Sequence, residues 1–131
     1  MSNCIKASLA FCAMVVSAGA LAEPGLHTAT IDQDGVVVAE SSAWIKSVNL
    51  TRQKDYFATY EVRFVNGLFK QAPAFCSVSS IDTSDYDRLL YGHAKLGGAA
   101  TTEKVNVLGL MVGKSEAAGD SAMSFQLACT H

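Results

Sequence analysis

The sequence has no cluster of lysine and arginine, which sets aside nucleic acid as a partner. Its 10 Lys and Arg are scattered among 12 Asp and Glu, for a net charge of −2, whereas binding to a phosphate backbone draws on grouped cations. Long apolar runs are also scarce. Ala7 to Ala18 is the one extended, uncharged and mostly apolar stretch, and it falls short of the roughly 20 residues that a membrane-spanning helix requires. Histidine is rare: His27, His93 and His131 lie far apart in sequence with no partner at metal-ligand spacing. No metal and no cofactor is therefore expected, and His93 is expected at the edge of the core.

Catalytic signatures are missing as well. No nucleophile-elbow sequence occurs, so the protein is not expected to be an enzyme. Gly109, Gly113, Lys114 and Ser115 approach a phosphate loop, but the spacing is one residue short and Leu108 stands where glycine belongs. Asp82, Asp85 and Asp87 put three carboxylates in a short loop, without the turn glycine and distal glutamate of a helix-flanked calcium loop. A solvated corner is the expectation there. The chain contains no repeat, coiled coil or low-complexity tract.

The amino-terminal segment has the features of an export signal. Met1 to Lys6 carries one positive charge, Ala7 to Ala18 is the apolar run, and Ala20-Leu21-Ala22 offers small residues ahead of Glu23. Cleavage after Ala22 would make 1–22 a signal peptide and 23–131 a single domain, secreted or periplasmic. Loss of Lys6, the only charged residue of that segment, would take the net charge from −2 to −3. Cys4 and Cys12 would leave with it, so Cys76 and Cys129 would remain as the only pair, predicting one disulfide in an oxidising compartment. The bridge would close a loop of about 50 residues, for which the chain-entropy treatment gives about 4 kcal/mol.

The domain itself is patterned for strands. Tyr56, Ala58, Tyr60, Val62 and Phe64 alternate with Phe57, Thr59, Glu61 and Arg63, the clearest half-buried strand in the chain. Met123, Phe125, Leu127 and Cys129 alternate with Ser124, Gln126 and Ala128 over 122–129, and 104–112 has apolar residues on both faces. Val36 to Ala39 after the turn dipeptide Asp34-Gly35, Ala43 to Leu50, and Phe75 to Ile81 after Pro73 supply further strands. Asn66-Gly67 marks a turn or a bulge. Glu23 to Thr30 is expected to be an irregular lead-in, and 113–121 a connection. Tyr86 to Leu96 fits two periods. As a helix it would put Tyr86, Leu89, Leu90 and His93 on one face, capped by Ser84 or Asp82. As a strand it would align Leu90, Gly92, Ala94 and Leu96.

This order of features resembles the H-type lectin domain. The matching residues are Trp44, Val62 and Phe64, Phe69 and Pro73, Ser77-Val78, Ile81-Asp82, Arg88, Ala94-Lys95-Leu96, Thr101-Thr102, and Val105 with Val107; Cys129 stands where the family commonly has Trp. The resemblance implies an all-β fold, a small antiparallel β-sandwich, usually assembled as a trimer and binding N-acetylgalactosamine or related sugars. It implies ligand contacts from Arg88, with Asp87 beside it and Tyr91 in the neighbouring place. Where the family often carries adjacent Trp and His, this chain has Gly113-Lys114-Ser115-Glu116. The helical alternative for 84–96 resembles instead the OB-fold barrel of pentameric toxin B subunits, which also bind glycans. The expected function is a secreted, lectin-like module recognising a cell-surface glycan or glycoprotein as a homo-oligomer. The alternative is a non-enzymatic envelope or secreted structural protein that binds a partner chain.

Overall fold

The computed structural model describes residues 25–53, 56–113 and 120–131. The expected signal peptide 1–22, Lys54 and Asp55 of the polar turn, and 114–119 of the expected connection lie outside the described residues. The strands are β1 (Leu26–Ile31), β2 (Val37–Glu40), β3 (Ile45–Arg52), β4 (Phe57–Phe64), β5 (Phe75–Ser80), β6 (Gly92–Leu96), β7 (Lys104–Met111) and β8 (Phe125–Thr130), with one helix, α1 (Tyr86–Tyr91). They form two four-stranded antiparallel sheets in the orders β2-β1-β8-β5 and β3-β4-β7-β6. The expected sandwich is therefore the fold, and the barrel alternative is not.

The period-two pattern places the core. In β4, Ala58, Tyr60, Val62 and Phe64 point inward, and in β7 Val105 and Val107 meet them from the same sheet. Ile31 of β1 with Phe125, Leu127 and Cys129 of β8 closes the core from the other sheet. Fully burying a side chain of this size stabilises by about 1.5–3 kcal/mol. Two polar side chains join the layers. Trp44, fully buried just ahead of β3, donates from Nε1 to the Thr28 carbonyl of β1 at 3.0 Å and stacks on Phe64. The Tyr60 hydroxyl of β4 accepts from Met123 N at 3.0 Å and donates to the Gln33 carbonyl at 2.8 Å. Burial pushes the Tyr60 phenol up to about 12, so this link stays protonated across the neutral range.

Three sequence expectations are corrected. The stretch read as an irregular lead-in is largely β1, an interior strand paired with both β2 and β8. Its inward positions are His27, Ala29 and Ile31, too weakly apolar to announce a strand, and pairing on both sides supplies what the pattern lacks. Segment 86–96 is neither wholly helix nor wholly strand: it changes state at Gly92, whose backbone N–H closes the helix on the Arg88 carbonyl. A Cβ at Gly92 would run into that same carbonyl oxygen, so the junction needs glycine for space. His93 is exposed on β6 instead of edging the core. In β3 the register slips between Ile45 and Ser47, letting Ile45, Val48 and Leu50 all pack on the core while Lys46 points out. Asn66-Gly67 forms a turn, with Gly67 at φ 77° and Leu68 N bonded to the Val65 carbonyl at 3.1 Å.

Cys76 and Cys129 lie directly opposite each other on β5 and β8 at disulfide distance, with Cα atoms 4.1 Å apart and a sequence separation of 53. The Cys76→Ser/Cys129→Ser variant is expected to lose up to about 4 kcal/mol of unfolding free energy in urea, from the loop it frees. Equal midpoints for the oxidised protein and the variant would contradict a stabilising bridge.

Candidate binding face

The residues expected to hold a sugar lie on α1. Asp87 sits half-buried in the first turn of α1 and Tyr91 ends the helix, its carbonyl accepting Val112 N at 2.8 Å. Arg88 turns toward 120–122. Its Nε donates to the Ala122 carbonyl at 3.0 Å, Nη1 to Asp85 Oδ2 at 2.7 Å and to Ser84 Oγ at 3.3 Å, and Nη2 to the Asp120 carbonyl at 3.4 Å. Asp82 Oδ2 stands 3.8 Å from Nε, and only 17% of the arginine side chain is exposed. With its donors engaged in this way, Arg88 clamps the helix to the segment leading into β8. Neither of the two grooves described below is lined by Asp87, Arg88 or Tyr91.

The acidic corner has a structural use. Asp85 caps α1 by accepting Arg88 N at 2.7 Å, in place of the expected Ser84 or Asp82. Asp82 is not solvated, with 6% of its side chain exposed. Burial alone would raise its carboxyl, but hydrogen bonds from Ser84 and from Ser124 N, together with the Arg88 charge, outweigh burial and hold it below the usual value of 3.8.

A different surface offers room. On the outer face of β2-β1-β8-β5 the alternation turns short neutral side chains to solvent, and the register stacks them in rows. Thr28, Ala128 and Ser77 lie side by side across β1, β8 and β5, and Thr30, Gln126 and Ser79 form the next row. Ala39 of β2 extends the second row, while Ser41 closes the first through a hydrogen bond from Thr28 N to its Oγ at 3.0 Å. They floor a groove of about 580 Å³. One row further on the same face stands Phe75, 60% exposed, beside Thr130 and Leu26. The one carboxylate on the rim, Glu40, is already engaged by Trp44 N at 3.1 Å and Ile45 N at 3.3 Å.

Such a floor gives and accepts hydrogen bonds without adding charge, and its alanines leave apolar gaps between hydroxyls. An uncharged, polyhydroxylated ligand has the matching chemistry. Half of this face was visible in the sequence, since Ser77 shares a side with Phe75 and Gln126 with Ala128. The other half was missed because Thr28 and Thr30 fall in the stretch read as irregular. A second, smaller groove of about 350 Å³ near Lys46, Arg63 and Glu103 lies on the other sheet; there Lys46 Nζ already donates to Asn66 Oδ1 at 3.4 Å.

At the far end of the first sheet, His27 and His131 meet. Their Nε2 atoms are 3.2 Å apart, His27 Nδ1 is 3.4 Å from Ser42 Oγ, and the His27 ring stacks on Trp44. Burial, and then the charge of His131, push His27 below its ordinary value.

Two outcomes follow from the Arg88 clamp. Arg88→Ala is expected to lower stability by about 2 kcal/mol through its lost charged hydrogen bonds, measured by urea unfolding. Asp82, with a folded value below 3.8, contributes its full stability above that pH and loses the contribution as pH falls through the folded value. Asp82→Asn is therefore expected to reduce stability at neutral pH and to flatten the acid limb of the stability curve; an unchanged acid limb would contradict the assignment.

In comparison with known proteins, no family model matches the chain, and neither a curated protein nor a solved structure does.

Proposed function

We propose that the protein is an exported glycan-binding module that takes a neutral, polyhydroxylated ligand on the outer face of β2-β1-β8-β5. The observation that carries this reading is the groove of about 580 Å³ floored by hydroxyl side chains in register. A sugar presents hydroxyls around its rim and C–H groups on its faces. Thr28, Thr30, Ser77, Ser79 and Gln126 suit the first, and the exposed ring of Phe75 on the same face suits the second through stacking. The resemblance to the H-type lectin domain supports the same ligand class, although Arg88 is occupied structurally and the ligand contacts move to the sheet face. The export signal and the paired Cys76 and Cys129 support an oxidising, extracytoplasmic setting. Among the described residues no helix is long and apolar enough to cross a membrane.

A second reading is an envelope or secreted protein that binds a partner chain. It is favoured by the apolar side chains exposed on and beside α1, where Tyr86 is 73%, Leu89 58% and Leu90 50% exposed. Recovery of a partner chain in stoichiometric amount, lost on Leu89→Ser, would favour this reading over the glycan one.

The glycan reading is tested by an array probed with the oligomer-forming or multivalently displayed protein. Binding to neutral, galactose-type glycans is expected. The Thr30→Val/Ser77→Val variant, which keeps strand-forming shape but removes two hydroxyls, should bind about tenfold more weakly, while Arg88→Lys should bind as the wild type does. No binding to any glycan, or binding lost with Arg88 and kept without the two hydroxyls, would overturn the placement.

A further inference from the structure

The three histidines are 27, 93 and 131, and the topology brings the first and last together. β1 runs antiparallel to β8 with His27 opposite Cys129, and His131 is two residues beyond Cys129, on the same side of the sheet. The two rings are thus diagonal neighbours on one face of a strand pair. Backbone pairing continues to the end, with His131 N donating to the Gly25 carbonyl at 3.2 Å. The His131 ring lies over Gly25, where a Cβ would collide with it.

The rings are held on several sides. His27 stacks on the fully buried Trp44 at 5.5 Å between centroids, and Phe69, 3% exposed, packs edge-on against His27 and tilted against His131 at 4.9 Å. Ser42 Oγ sits 3.4 Å from His27 Nδ1. When that nitrogen carries its hydrogen toward Ser42, the lone pair of His27 is on Nε2, facing His131 Nε2 at 3.2 Å. A hydrogen-bond acceptor behind the ligand ring helps to orient an imidazole for metal binding.

The separation has a chemical meaning. Imidazole nitrogens bind Zn²⁺ at about 2.0–2.1 Å, so two adjacent ligands on one such ion stand about 2.9 Å apart at a right angle and about 3.3 Å apart at the tetrahedral angle. The observed 3.2 Å falls between these. At this distance one Nε2–H faces the lone pair of the other Nε2, and once that hydrogen is given up a cation can take its place.

From this geometry we infer that His27 and His131 form a two-histidine site for a divalent transition-metal ion, with Cu²⁺ bound more tightly than Ni²⁺ or Zn²⁺. The order follows the general ranking of these ions at nitrogen sites. Among the described residues no group of three or more His, Cys, Asp or Glu could hold a metal ion, so water or a donor from another molecule completes the coordination shell. The inference is independent of the glycan reading, because the histidines do not line the hydroxyl groove.

Trp44 is the sole tryptophan and lies against His27, so it reports on the site directly. Untagged protein at fixed neutral pH in a non-coordinating buffer is titrated with copper(II) chloride while tryptophan emission is followed. Saturable quenching with a stoichiometry near one is expected, together with an electron paramagnetic resonance spectrum showing nitrogen coupling. His131→Gln, at an exposed position that leaves Trp44 and His27 in place, is expected to weaken binding at least tenfold with an unchanged circular dichroism spectrum. His93→Gln, on the distant strand β6, is expected to bind as the wild type. Unsaturable quenching, or equal affinity in His131→Gln, would overturn the site; so would a copper spectrum without imidazole nitrogen.

Discussion

Strand β8 pairs on both sides, with β1 along one edge and β5 along the other, and the molecule depends on that double pairing. Cys129 lies between His27 and Cys76 in a single cross-strand row. The inward residues of β8, Phe125, Leu127 and Cys129, are fully or almost fully buried and supply the first sheet's largest share of the core. The segment just before it, with Ala122 and Met123 also buried, carries the backbone groups that Tyr60 and Arg88 bind. A slip of one residue in either pairing would turn Phe125 and Leu127 to solvent and Gln126 into the core, so burial fixes the register.

The same register composes the outer face. Antiparallel sheets with one solvated side turn polar residues outward, and here the groove floor across β1, β8 and β5 is Thr, Ser, Ala and Gln. Lysine or glutamate at those places would fill the groove with mobile charge. Short hydroxyls leave it open and neutral, and the nearest acid, Glu40, has its carboxylate committed to the turn before β3. Exposed apolar side chains also stand on α1, at Tyr86, Leu89 and Leu90.

Strong alternation was legible without coordinates. β4, β7 and β8 declare themselves because each carries three or more apolar residues on one side, and the cysteine pairing followed from there being only two candidates in the expected mature chain. β1 was hidden because His27 and Ala29 add little hydrophobic signal to Ile31. Segment 86–96 satisfied two periods because the chain uses both in succession and changes at Gly92. Arg88 follows the Ile81-Asp82 corner in sequence, but sequence spacing says nothing of the carbonyls of Asp120 and Ala122, which arrive from a distant part of the chain and occupy its guanidinium. His27 and His131 were too far apart in sequence to be associated; only the antiparallel pairing of the two terminal strands makes them neighbours.

The placement of β8 between β1 and β5 is the claim on which the groove, the cysteine pairing and the histidine pair all rest. Nuclear Overhauser contacts between backbone α-hydrogens test it most directly, since these hydrogens approach closely only in the narrow pairs of an antiparallel ladder. The structure predicts an α-hydrogen contact between Ala128 and Thr28 on one side and between Cys129 and Cys76 on the other. Absence of either contact, or contacts displaced by one residue, would contradict the account.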